Sequence, residues 1–189
     1  MVRSILPLFA VALAASAPAL AAEPIAVAPF HSVELRGGGD VYVVPGAVQR
    51  VTLINGSTEF TSFRMRGDGE LEIATRCNDR CPHNYNLRIQ IESPTVPDVA
   101  VDAGGTIVAR PGFALQRDIS AAVSAGGTID LRAVEADEVS AAVNAGGDIY
   151  VRPRVTLNAA VNAGGDIHYS GNPQVSEAVS NGGDVRRDY

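Results

Sequence analysis

From residue 101 onward, apolar and polar positions recur around pairs of glycines. Five segments align on them: VDAGGTIVAR (101–110), VSAGGTIDLR (123–132), VNAGGDIYVR (143–152), VNAGGDIHYS (161–170) and VSNGGDVRRD (179–188). The pairs are Gly104 and Gly105, Gly126 and Gly127, Gly146 and Gly147, Gly164 and Gly165, and Gly182 and Gly183, at spacings of 22, 20, 18 and 18 residues. A sixth copy, LRGGGDVYVV (35–44), stands far upstream. Four residues before the second glycine comes Val101, Val123, Val143, Val161 or Val179. Two after it comes Ile107, Ile129, Ile149, Ile167 or Val185, and four after it Ala109, Leu131, Val151, Tyr169 and then Arg187. The column between these last two is Val108, Asp130, Tyr150, His168 and Arg186, and it is mostly polar. Apolar positions two apart, with a polar one between, have the period of a half-buried strand and not of a helix. The glycine pairs mark sharp bends, where positive φ is needed and a Cβ would collide.

A unit of about 20 residues with short strands cannot bury its apolar face alone, whereas stacked copies bury a continuous column. The expected fold is therefore all-β: a parallel β-solenoid, with coils about 4.8 Å apart. The first half also reads as strands, less regular and antiparallel in part: VQRVTLI (48–54), FRMR (63–66), ELEIAT (70–75) and YNLRIQIES (85–93). Gly67-Asp68-Gly69 signals a hairpin between two of them, and Pro94 and Pro97 mark the junction into the tandem copies. Because the upstream copy shares the glycine register, residues 22–189 are expected to form one domain whose first half begins and caps the stack. Arg187 interrupts the inward column in the last copy, where a polar edge discourages aggregation.

The N-terminus changes the setting. Residues 1–21 carry one charge, Arg3, then an apolar run from Ile5 to about Ala15, then Ala19-Leu20-Ala21. This is the pattern of a cleaved export signal, too short in its apolar run to span a bilayer. No later segment is long and apolar enough to do so as a helix. The expected location is the periplasm or cell surface of a Gram-negative bacterium. In such an oxidising compartment, Cys77 and Cys81 are expected to form a local disulfide; free thiols, or Cys77, Cys81 and His83 as a metal set, are the alternatives. The chain has 15 basic residues, all Arg, against 21 acidic ones, for a net charge of −6. That balance lends no support to a nucleic-acid partner. Its hydrophobic share of 46% argues against disorder.

Three columns carry candidate chemistry. Arg110, Arg132 and Arg152 each stand five residues after a second glycine. In register they would line up on one surface, as a stripe for an anionic polysaccharide or another envelope component, or as a column paired with acids such as Asp130, Glu135 and Asp137. Asp148, Asp166 and Asp184, with Asp40 upstream, follow the bends and resemble a calcium-binding β-roll pattern. Thr106 and Thr128 replace Asp in two copies, and Asp and Thr at bends commonly cap backbone N–H groups instead. Asp102, Ser124, Asn144, Asn162 and Ser180 form a polar column, with Asn144 and Asn162 suited to a coil-to-coil ladder. Tyr150 and His168 fall together on the outward column. No nucleophile elbow, HExxH, P-loop or dinucleotide fingerprint occurs, so neither an enzyme nor a cofactor is expected.

The GGGDVYV copy, the IQIESP-to-AVDAGG junction and the tandem AGG[DT]I copies resemble the head GIN domain family of putative auto-transporter adhesins of bacterial envelopes. The resemblance covers about residues 30–189. It implies a right-handed β-solenoid and an exported, non-catalytic binding domain of adhesin type, with no catalytic residues to carry over. Only six residues follow Gly183, so the resemblance is expected to stop short of a membrane barrel. A periplasmic structural or sensing module is the next reading, and a solenoid polysaccharide-active enzyme, which would need paired carboxylates in a groove, the third. An uncovered edge strand would permit self-association.

Overall fold

A computed structural model describes residues 22–77, 81–83 and 85–188. The export signal expected over residues 1–21 lies outside them. Every regular element described is a strand: β1 (Glu23–Ile25), β2 (Ser32–Arg36), β3 (Asp40–Pro45), β4 (Arg50–Asn55), β5 (Thr61–Met65), β6 (Glu70–Thr75), β7 (Arg88–Ser93), β8 (Asp98–Val101), β9 (Thr106–Ala109), β10 (Gln116–Val123), β11 (Thr128–Asp130), β12 (Ala136–Val143), β13 (Asp148–Val151), β14 (Pro153–Val161), β15 (Asp166–Tyr169), β16 (Gln174–Val179) and β17 (Asp184–Arg187).

These strands make two sheets. The first runs β1-β4-β7-β3-β9-β11-β13-β15-β17, the second β16-β14-β12-β10-β8-β2-β6-β5. In the tandem region the chain alternates between them, one strand in each per repeat. Each strand pairs in parallel with its counterpart in the next repeat. Ile107, Ile129, Ile149, Ile167 and Val185 are thereby brought into one column. Val101, Val123, Val143, Val161 and Val179 form the facing one. The four isoleucines are fully buried, as alternation requires of the inward side.

The upstream copy stacks directly on the first tandem one, although more than 50 residues separate them: Val41 pairs with Ile107, and Leu35 with Val101. β6 and β7 lie on its other side. The Gly67–Gly69 hairpin joins β5 and β6 as an antiparallel pair, and β1 and β4 close the first sheet with antiparallel ladders. The result is two largely parallel sheets with antiparallel strands at one end.

The bends work through their glycines in two ways. The first glycine of a pair needs only its conformation: Gly164 has φ +80° and open space where a Cβ would be. The second also needs the missing side chain. Gly165 has φ +91°, and a Cβ there would sit 2.5 Å from the Gly147 carbonyl oxygen and 2.6 Å from a Val143 methyl. Gly105 holds the same place where the tandem copies meet the upstream one. Its φ is +92°, and a Cβ on Gly105 would sit 2.8 Å from the Gly37 carbonyl oxygen and 2.7 Å from a Leu35 methyl. Coil-to-coil hydrogen bonds follow from that approach, such as Thr128 N–H to Gly105 O, Gly146 N–H to Gly164 O and Asp166 N–H to Gly147 O.

On the outer face of the second sheet, Glu34 lies opposite Glu72. Directly opposed like charges are destabilising, and two arginines offset them. Arg66 donates to Glu72 and approaches Glu34 and Glu70 at 3.5 and 3.3 Å. Arg36 reaches Glu34, Glu72 and Asp102 at 3.4, 3.5 and 3.1 Å. The Arg66 hydrogen bond holds the Glu72 carboxyl below its ordinary pKa. Burial, above all, pushes Glu34 up, against the charge of Arg36 and with that of Glu70.

Gly164→Ala should cost about 1–2 kcal/mol, the penalty of a left-handed residue with a side chain. Gly165→Ala should cost more, because the neighbouring coil must also move; denaturant melts of both variants measure the difference. The acid pair titrates with opposite signs. Glu34 has a raised folded pKa, so its ionised form weakens the fold at neutral pH and the penalty lifts as pH falls through that value. Glu72 has a depressed pKa, so it stabilises above its unfolded value and stops doing so as pH falls through the folded one. Glu34→Gln should therefore melt at or above the parent at neutral pH, with the advantage gone below about pH 4. Glu72→Gln should melt lower at neutral pH.

Candidate functional site

The outward face of the first sheet carries one register column built from separate repeats: Tyr42, Val108, Asp130, Tyr150, His168 and Arg186. Arg110, Arg132 and Arg152 stand just beyond the ends of β9, β11 and β13, beside that column. They do not behave alike. Arg132 forks onto Asp130, with Nε to Oδ1 at 3.0 Å and Nη2 to Oδ2 at 2.6 Å, while its backbone N–H donates to Oδ1 at 3.1 Å. Burial pushes the Asp130 carboxyl up, but the hydrogen bonds and charge of Arg132, helped by Arg110, outweigh it and hold the pKa below the ordinary value. Arg152 pairs with Glu135 at 2.8 Å. Arg110 is exposed, and no ion pair involving it occurs among the described residues. Its guanidinium lies over the Tyr42 ring, 4.6 Å from the centroid, and Arg132 lies over Tyr150 at the same distance. Such stacking leaves the N–H edge of an arginine free to donate.

His168 departs from its expected exposure on this face: it is buried, at 6% exposure. The Tyr150 ring stacks on it at 4.4 Å, and Arg186 lies within 3.2 Å of both ring nitrogens. Asp188 Oδ1 stands 3.1 Å from Nδ1. The large neighbours supplied by adjacent repeats bury a position that a single strand would leave in water.

The aspartate column differs from its expected form. The structure groups Asp148 and Asp166 with His168, their ligand atoms within 4.8 Å of one another, and Asp184 lies outside that group. Arg186 approaches Asp166 at 3.8 Å, so a cation already faces this acid. The bend amides are satisfied by backbone carbonyls of the adjoining coil rather than by Asp or Thr side chains; Asp148 N–H, for example, bonds Gly127 O. Asn162 donates to Asn144 at 2.9 Å as a coil-to-coil ladder, while Asp102 binds Arg36 instead. Cys77 and Cys81 form a disulfide. Their thiolates are thus unavailable to a metal set with His83, which corrects that alternative.

Two features escaped the sequence reading. Tyr42 comes from the distant upstream copy, and only the stacking of β3 on β9 brings it under Arg110. The outer face of the second sheet holds a groove of about 520 Å³, floored by Ala100, Ala122, Ala142, Ala160 and Ala178 and flanked by Ser120 and Ser140. The recurring SAAV, SAAV and NAAV segments at 120, 140 and 158 were its visible signal. Small side chains at outward strand positions leave a trough.

Among the described residues no helix is long and apolar enough to cross a membrane, which says nothing of β-barrels. No curated protein matches the chain. Solved structures of similar shape include a putative adhesin from Bacteroides fragilis, at 15% identity, covering 89% of this chain and 96% of that one, with a TM-score of 0.49. A putative adhesin from Parabacteroides distasonis has 14% identity, the same coverage of both chains and a TM-score of 0.41. A putative lipid binding protein from the same species has 14% identity, covers 88% of this chain and 96% of that one, and has a TM-score of 0.33. Residues 98–173 match the family model described as putative auto-transporter adhesin, head GIN domain. In its glycine pairs, its facing Val and Ile columns and its parallel register, the repeat segment of this chain is similar to the head GIN domain family, whose model it matches over residues 98–173.

Proposed function

We propose that the chain is an exported, non-catalytic binding domain of a Gram-negative cell envelope, of adhesin type. Its first-sheet face takes an anionic polysaccharide or a similar anionic envelope component. The alternation between sheets with parallel register supports a β-solenoid, and parallel crossovers are right-handed in nearly all proteins. The leader-like residues 1–21 and the Cys77–Cys81 disulfide support export.

The observation that carries the ligand class is Arg110: exposed, stacked on Tyr42 and without a carboxylate partner among the described residues. Arg132 lies beside it as a guanidinium already held by Asp130. An incoming sulfate, phosphate or carboxylate would meet Arg110 directly and would compete with Asp130 for Arg132. The two arginines sit at the ends of adjacent strands, which suits a repeating polyanion better than a single small anion.

The expected outcome has two opposite signs. Arg110→Gln should weaken binding to dextran sulfate or lipopolysaccharide by about tenfold, the loss of one charge-assisted contact. Asp130→Asn should strengthen it by severalfold, because Arg132 is released from its internal partner. Titration calorimetry or a surface-binding assay reads both. Parent and Arg110→Gln binding these polymers equally well would sink the assignment.

A further inference from the structure

We propose that the end of the molecule formed by β16 and β17 is an interface with a second copy of this chain. The two copies are joined across a twofold axis by antiparallel pairing of β17 with itself, centred on Val185.

The two ends of the molecule differ. At one end the antiparallel strands β1 and β5 close the sheets; at the other, β17 and β16 are the outermost strands. The inward valine column passes from 1% exposed at Val161 to 47% at Val179. The isoleucine column passes from fully buried at Ile167 to partly buried at Val185. An edge strand with an apolar flank and unpaired backbone groups is a template for another strand.

The sequence of β17 says which strand fits. Asp184 and Arg186 point outward and Val185 inward, as their partners Asp166, His168 and Ile167 show. In antiparallel pairing about Val185, each residue meets one on the same face. Val185 then meets its own copy inside, and Asp184 meets the second copy's Arg186 outside, twice by symmetry. Asp184 is exposed and has no cation partner among the described residues. Asp166, at 3.8 Å, is the one acid that Arg186 reaches among them. Arg187 would lie opposite Gly183 of the second copy, where no side chain obstructs it.

Charge also weighs against continued parallel stacking. Glu177 follows Ala159 in one inward column, and Arg187 follows Tyr169 in the other. A further parallel coil would have to bury both charges, which disfavours head-to-tail growth into a fibre. A twofold pair consumes the open edge of each copy and stops.

The test measures molar mass by light scattering over a roughly hundredfold concentration range. The parent should rise from monomer to dimer. Asp184→Arg should weaken association by about tenfold, since each like-charge contact occurs twice. Combining Asp184→Arg with Arg186→Asp should recover it, because the exchanged pair is complementary in the same register. Val185→Cys should give a dimer on non-reducing gels, because this register sets the two thiols side by side. Thermal melts matching the parent show that these variants remain folded. A monomer at every concentration overturns the proposal. So does a dimer that Asp184→Arg leaves unchanged and Val185→Cys does not trap, since association would then lie elsewhere.

Discussion

The closeness of neighbouring bends governs the rest of this molecule. Parallel strands in adjacent repeats must lie about 4.8 Å apart to share hydrogen bonds. At the corners, that spacing brings one chain's carbonyl into the place where the next chain's Cβ would be. The Gly147 carbonyl oxygen would lie 2.5 Å from a Cβ on Gly165, and the Gly105 carbonyl oxygen 2.8 Å from one on Gly127. Without a side chain there, the corner amides find carbonyls in the adjoining repeat. Both sheets then keep their register, and the Val and Ile columns close into one core.

Register makes every outward position a column, and each column is tuned by what its neighbours supply. The arginine stripe shows this. Arg132 and Arg152 stand at equivalent places, yet one is bound by Asp130 on its own strand and the other by Glu135, from the β11–β12 connection of the preceding repeat. Arg110 has Val108 where Arg132 has Asp130, and it turns to Tyr42 from the upstream copy instead. A small change at one column position thus converts an internally neutralised cation into one open to a ligand. On the opposite face the outward column is Ala in repeat after repeat, and the consequence is a trough rather than a charged ridge.

The two halves of the chain solve different problems with the same geometry. The N-terminal half supplies a coil to the stack and then terminates it with antiparallel strands. Its outer face is held by the Arg36 and Arg66 network around Glu34 and Glu72. The C-terminal half repeats the coil, and among the described residues β16 and β17 are its outermost strands. Charged inward residues, Glu177 and Arg187, stand where an endless stack would need apolar ones. Termination by pairing at one end and by charge at the other gives the ends different chemistry.

Much of this was legible in the chain itself. Local chemistry determined the strands, the bends, the Gly67–Gly69 hairpin and the Cys77–Cys81 disulfide, because period-2 patterning, positive φ and short sequence separation are properties of a few consecutive residues. The repeat also announced that equivalent residues would stack. Only the tertiary structure decided which stack each strand joined: that the copy at 35–44 sits against the one at 101–110, that Tyr42 lies beneath Arg110, and that His168 is buried between Tyr150 and Arg186. Those contacts join residues far apart in sequence. They are set by strand order across the sheet, and no local pattern along the chain encodes that order.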